Sequence, residues 1–287
     1  MALTSPGVIK TTNDILVKLA PKLTFVRPFV YDISSAVADY GDKIRVAMVS
    51  GGSAESYNAD TSNYEHETGA LSDVFVTLDS QPKSTIGITQ MERLELPNDS
   101  FWSRFSEAGA QSISKAISEK VCGLLTAAAC TGGKVVLGGS FTLTDLAGLG
   151  ASCAGRKGDT VLVLDAAYYD RMLGLLPANT YGSDEAIRNG TVGGFYGFRA
   201  VVRGEDLPAG IKGALVPATG IACAVRPVAI PDISAYPEAD IVSDENGFSI
   251  TATRHTAFST GKAYFNTTCL VGAVLTQPDK TKYLAAS

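Results

Sequence analysis

The sequence is short of charge. Asp, Glu, Lys and Arg make up 18% of its 287 residues, below the roughly one quarter usual in soluble domains. Histidine is nearly absent, His66 and His255 being the only two. No apolar run is long enough to cross a bilayer: the longest, Val121 to Cys130, falls well short of the roughly 20 residues a spanning helix needs. The five cysteines, Cys122, Cys130, Cys153, Cys223 and Cys269, are an odd number without close spacing. That excludes a disulfide framework or a paired-cysteine zinc site and leaves reduced, buried thiols as the expectation. The opening Met1-Ala2-Leu3-Thr4-Ser5-Pro6-Gly7 has no basic stretch followed by an apolar one, so no signal peptide is expected. The formal net charge is −5 and the pI about 5.1, which argues against a dedicated nucleic-acid binder, since such a protein carries a basic patch.

Motifs that carry chemistry are also missing. There is no His-Glu-x-x-His and no Gly-x-Ser-x-Gly, so neither a zincin helix nor a nucleophile elbow is present. Thr131-Gly132-Gly133-Lys134 lacks the glycine that opens a phosphate loop, and Val135 stands where a magnesium-binding Ser or Thr belongs. Gly148-Leu149-Gly150 has no third glycine at the dinucleotide spacing. Both glycine runs read as turns. His66 sits between Glu65 and Glu67 in an acidic stretch, and His255 follows Arg254 in a strand pattern. No catalytic, cofactor-binding or metal-ligating residue is nominated, and no cofactor is expected.

Hydrophobic residues are plentiful, at 45%, enough for a sizeable core. Residues 1–40 read as an extended arm. Helical spacing at Ile15, Leu16 and Leu19 is cut by Pro21, and Pro28 keeps the next stretch extended. About 30 such residues reach on the order of 100 Å when stretched. Lys10, Lys18, Lys22 and Arg27 against Asp14 give the first thirty residues a charge of +3. Asp42 to Val49 is a strand pattern, as are Val74 to Leu78 and Ser84 to Thr89. Between them lies a long polar tip. From Ser50 to Ser80 there are six acids, Glu55, Asp60, Glu65, Glu67, Asp73 and Asp79, and no Lys or Arg.

The spacing of Trp102, Phe105, Ile113, Ile117, Val121 and Leu124 predicts a long amphipathic helix from Ser100 to Ala129, ended by Gly132-Gly133. Roughly 30 residues make a rod of about 45 Å. A mixed pattern follows: a short helix at Thr142 to Gly150, a buried strand at Thr160 to Leu164, a helix after Asp165, a glycine-rich loop from Pro177 to Gly197, and strands at Phe198 to Arg203 and Gly213 to Val216. Asn246-Gly247 signals a hairpin turn. Ser249 to Thr253 and Cys269 to Thr276 close the sheet.

The order of these parts resembles the major capsid proteins of tailed bacteriophages, the Hong Kong 97-type capsid fold. The resemblance runs over nearly the whole chain. It is carried by Tyr40-Gly41-Asp42-Lys43-Ile44-Arg45-Val46, by Glu67 to Val74, by Val161-Leu162-Val163-Leu164-Asp165-Ala166-Ala167-Tyr168-Tyr169, and by Arg254-His255 through Gly272-Ala273. It implies an α+β fold with an N-arm (1–40), an E-loop hairpin and its base (41–89), a peripheral segment with the spine helix (90–133), an axial domain (134–235) and closing strands (236–287).

The same resemblance implies a structural, non-enzymatic subunit that assembles with itself into hexamers and pentamers of an icosahedral head around double-stranded DNA. It implies synthesis in a host bacterial cytoplasm, a place in the virion, no membrane, a portal, and room for decoration proteins. Relatives with a built-in scaffolding segment carry it ahead of the arm. The arm here starts at Met1, so a separate scaffolding protein is expected. The loop acids Glu55, Asp60, Glu65 and Glu67 are expected to meet a neighbour's Lys10, Lys18, Lys22 and Arg27. An encapsulin-like compartment shell is the second reading, and a small-molecule α/β enzyme the third.

Overall fold

Thr160-Val161-Leu162-Val163-Leu164-Asp165 is apolar on both faces, as a strand covered on both sides must be. The structure, a computed structural model, places it in the middle of the largest sheet. Residues 15, 19, 23, 26–34, 41–49, 71–89, 98–139, 141–153, 157–175, 191–193, 195–228, 238–243, 248–257 and 261–286 are described. The strands, in chain order, are β1 (Val30–Asp32), β2 (Lys43–Val49), β3 (Leu71–Thr77), β4 (Lys83–Thr89), β5 (Lys134–Leu137), β6 (Thr160–Asp165), β7 (Thr191–Gly193), β8 (Ala200–Gly204), β9 (Gly213–Pro217), β10 (Ile221–Arg226), β11 (Glu238–Ser243), β12 (Ser249–Ala257), β13 (Lys262–Thr268), β14 (Leu270–Leu275) and β15 (Lys282–Ala286). The α-helices whose full extent is described are α1 (Asn98–Cys122), α2 (Leu143–Ala151) and α3 (Ala166–Leu175). The fold is mixed α+β.

Six strands form one sheet in the order β5-β15-β9-β6-β8-β7. Its two faces are separated by the period-2 alternation of side chains. Leu162, Leu164, Val201 and Leu215 pack under α2 and α3 with Tyr168, Tyr169 and Met172. Val161, Val163, Val202 and Val216 enter the main core with α1. Helix α2 starts on a capping box, in which the Thr142 hydroxyl accepts from the Asp145 N–H and the Asp145 carboxylate accepts from the Thr142 N–H. β10 is buried on both faces in the same way. Ile221, Cys223 and Val225 face the main core, and Ala222 and Ala224 face a smaller one under β2 and β3.

β1, β10 and β14 make a three-stranded sheet, and β11-β12-β13-β4 a four-stranded one. β2 and β3 pair only with each other, Val49 opposite Leu71 and Lys43 opposite Thr77. β11 and β12 pair with Ser243 opposite Ser249, a hairpin around the Asn246-Gly247 signal. The predicted strand at Ser84 to Thr89 is β4. It does not join the β2–β3 hairpin but pairs with β13.

Two expectations are corrected. Helix α1 ends at Cys122, not Ala129. The Gly123 N–H still reaches the Glu119 carbonyl at 2.9 Å, but a Cβ there would lie 2.6 Å from that oxygen. Leu124 and Leu125 then bond back three residues, to Val121 and Cys122, the tightening that closes a helix. A new turn begins at Thr126, whose hydroxyl accepts from the Ala129 N–H at 3.1 Å. The apolar spacing runs on because Leu125 and Cys130 are still buried.

The second correction concerns residues 15, 19, 23 and 26–34, which fall in the stretch read as an extended arm. Ile15, Leu19, Leu23, Val26 and Phe29 are all buried in the main core. Leu23 donates its N–H to the Leu19 carbonyl, and β1 lies parallel to β10. The three- and four-residue spacing of these apolar side chains gives the described residues a face to bury, so they are part of the body.

Candidate assembly surface

The β2–β3 hairpin is built by alternation. Ile44, Val46 and Val76 point inward and pack on Ala222, Ala224 and Leu270. Gly272 of β14 lets β3 approach closely, since a Cβ there would meet the Thr77 carbonyl oxygen at 2.4 Å. The opposite face presents Arg45, Ala47, Asp73 and Phe75 to solvent. Arg45 pairs with Asp73, Nε to Oδ1 2.8 Å, and this raises the guanidinium pKa above its ordinary value. Phe75, directly across from Arg45, is 51% exposed. On the β2 side, Tyr31, Ile33, Arg45, Met48, Thr219 and Thr276 line a hollow of about 340 Å³.

At the hairpin base the Lys120 ammonium holds Asp79, Nζ to Oδ1 2.8 Å, which ties the β3–β4 turn to α1. Further along the same helix, the Ser118 hydroxyl donates to Asp206 Oδ2 at 2.5 Å, fixing the turn after β8.

Of the proposed contact residues, Arg27 alone is described. It lines a second hollow, about 260 Å³, with Leu23, Val26, Val30, Asp32, Ile117, Cys223 and Phe248. Lys10, Lys18, Lys22, Glu55, Asp60, Glu65 and Glu67 lie outside the described residues. Of the six acids from Ser50 to Ser80, Asp73 and Asp79 have partners in their own chain. Sequence reasoning missed the outward row Arg45, Asp73 and Phe75; the alternation Lys43-Ile44-Arg45-Val46-Ala47 carried the signal.

Four of the five thiols are buried. Burial pushes Cys122, Cys223 and Cys269 up to about 12 and Cys130 up to about 11, far from the low values that make a nucleophile. His255 stacks on Tyr264, ring centroids 5.3 Å apart, and its Nδ1 lies 3.4 Å from the Asn266 amide nitrogen. Among the described residues no group of three His, Cys, Asp or Glu is arranged to hold a metal, and no helix is long and apolar enough to cross a membrane.

The fold as a whole is similar to that of solved phage capsid subunits. The chain is similar to the capsid of the cyanophage P-SCSP1u, with a TM-score of 0.56 at 14% identity over 90% of this chain and 86% of that one. It is similar to the mature capsid of bacteriophage PhiM1, with a TM-score of 0.54 at 9% identity over 92% and 87%. It is also similar to a virus-like particle from Pyrococcus furiosus, with a TM-score of 0.57 at 12% identity over 98% and 100%. At these identities the likeness is one of fold. No family model matches the sequence, and no curated protein does.

Proposed function

We propose that this chain is the repeating subunit of a closed protein shell, the icosahedral head of a tailed phage, built from hexamers and pentamers around double-stranded DNA. The observation that carries the reading is likeness of fold along nearly the whole chain to several subunits of assembled particles. In this reading its role is structural and not catalytic. In these terms 41–89 is the E-loop and its base, and α1 is the spine. The six-stranded sheet with α2 and α3 is the axial domain. The loop acids Glu55, Asp60, Glu65 and Glu67 contact a neighbouring subunit, for which Lys10, Lys18, Lys22 and Arg27 are one set of partners. Scaffolding protein, portal and decoration proteins are further partners of such a head.

Electron microscopy of the purified chain tests the reading. Closed shells or free hexamers are expected; single subunits under all assembly conditions would overturn it. A compartment shell that packages protein is the second reading. In that reading a cargo peptide would be sought at the apolar hollow of about 260 Å³ beside Arg27 and Asp32. The contents of particles made in cells decide between the two: nucleic acid supports the head, a single bound protein species the compartment.

A further inference from the structure

The four-stranded sheet turns one face to the core and one away from it. Ile250, Ala252 and Phe265 enter the main core. Register sets what stands on the other face. Thr251, Thr268 and Lys83 share one row, and Thr253, Asn266 and Thr85 the next. His255, Tyr264 and Gly87 form the third row, and Ala257, Lys262 and Thr89 the fourth. On β11, Ile241 and Ala239 continue the first two rows. Among the described residues this face carries two lysines and no carboxylate, in a chain whose acids outnumber its Lys and Arg 29 to 24. Near β11 it is covered: the Thr251 hydroxyl donates to the Val228 carbonyl at 3.0 Å and accepts from the Val228 N–H at 2.9 Å. The β13 and β4 side is open, with Lys83, Thr85, Gly87 and Lys262 exposed and Tyr264 and Asn266 half-buried. Neither lysine makes an ion pair among the described residues.

The middle of the open part is an aromatic platform. A Cβ at Gly87 would lie 2.7 Å from Tyr264 Cε1, so the glycine is what lets the ring lie across β4. His255 stacks on the same ring, centroids 5.3 Å apart and planes 19° from parallel. The Asn266 amide nitrogen reaches Thr253 Oγ1 at 3.3 Å and His255 Nδ1 at 3.4 Å, which leaves its carbonyl oxygen to accept from outside. Lys262 pairs with Thr89, at the far end of β4 from Lys83, so the two lysine positions are about 20 Å apart at the usual strand rise. We propose that this face binds an anionic polysaccharide, a chain of uronic-acid sugars. A pyranose ring lays a flat C–H face on the aromatic platform. Its hydroxyls donate to the Asn266 carbonyl and exchange hydrogen bonds with the Thr85 hydroxyl. Its carboxylates meet the two lysines, with no protein carboxylate on the face to repel them. A nucleic-acid strand fits less well, since each base asks for its own stacking platform and the face offers one ring pair. Binding of this kind goes beyond the shell reading and does not depend on it.

The test is a titration of the full chain with oligogalacturonate, read by calorimetry, with neutral dextran oligosaccharide and oligothymidylate as comparisons. Oligogalacturonate is expected to bind at low salt, and neutral dextran far more weakly. Tyr264→Ala should weaken binding about tenfold, and Tyr264→Phe, which keeps the ring, should retain it. Lys83→Ala with Lys262→Ala should weaken it about fivefold at low salt, a difference that disappears at high salt as screening removes the ionic part. Lys115→Ala, an exposed lysine on α1, should change nothing. Circular dichroism confirms that each variant is folded. No binding of oligogalacturonate would overturn the proposal. Undiminished binding by the folded Tyr264→Ala chain would do the same. So would an equal loss from Lys115→Ala, the mark of general charge attraction. Oligothymidylate binding more tightly than the sugar would overturn it too and assign the face to nucleic acid.

Discussion

A single glycine sets how closely the hairpin lies on the body. At Gly272 a side chain must displace the Thr77 carbonyl, which is backbone and cannot swing aside. Gly272→Ala should cost about 1–3 kcal/mol, read as a lower melting temperature. Gly148→Ala, in the open on α2 with nothing within 4 Å, should raise stability by about 0.5–1 kcal/mol. The buried thiols set a limit at high pH. Their pKa values rise from 9.0 to about 11 or 12 in the folded chain. The unfolded chain therefore gives up these protons first, and the stability they contribute is complete below pH 9 and is lost as pH climbs toward 12. Melting temperature should fall across that window, and Cys223→Ala with Cys269→Ala should flatten the fall. The burial of these cysteines was legible in the sequence, because isolated thiols in an apolar chain have nowhere else to go. The role of Gly272 was not, since it depends on a strand nearly two hundred residues away.

Helix α1 is the element with most at stake. Ile113, Ile117 and Val121 are fully buried against the sheets. Ile113→Asp should cost about 4 kcal/mol or more, since a carboxylate would be buried without a partner; a melt indistinguishable from wild type would mean the buried face is assigned wrongly. Its period was plain in the sequence, and so was its start near Asn98. Its end was not. Leu124, Leu125 and Cys130 keep the apolar spacing through a turn, and only hydrogen bonding at Gly123 and Thr126 marks the break. Strand β10 was missed for a related reason: Ile221-Ala222-Cys223-Ala224-Val225 is apolar on both faces and short, with no alternation to announce a strand. β5 and β15 hide in the same way, as brief runs whose partners lie far off in sequence.

For the whole molecule, the pairing of Val49 with Leu71 makes the loop between them separable from the core. Replacing residues 50–70 by Asn-Gly closes the hairpin with a two-residue turn. The excised chain should melt within a degree or two of wild type and form no closed shells, by circular dichroism and sedimentation. Normal shells from it would remove the loop from assembly. The mixed α+β fold was legible as an order of parts, the long helix between a hairpin and a mixed region, though no single motif spelled it. The six-stranded sheet was not legible, because β5 and β15 stand far apart along the chain and meet only in the fold.

That sheet also dictates when the subunit can exist during synthesis. β15 is not an edge strand; it lies between β5 and β9. β5 is finished at Leu137 and β9 at Pro217, yet the two are joined only through β15, which begins at Lys282. On the ribosome the nascent chain therefore holds a sheet with a missing middle and an orphaned edge, and long-range closure of this kind is slow. The six-stranded sheet is therefore complete only once β15 has been made, a form of timing written into strand order.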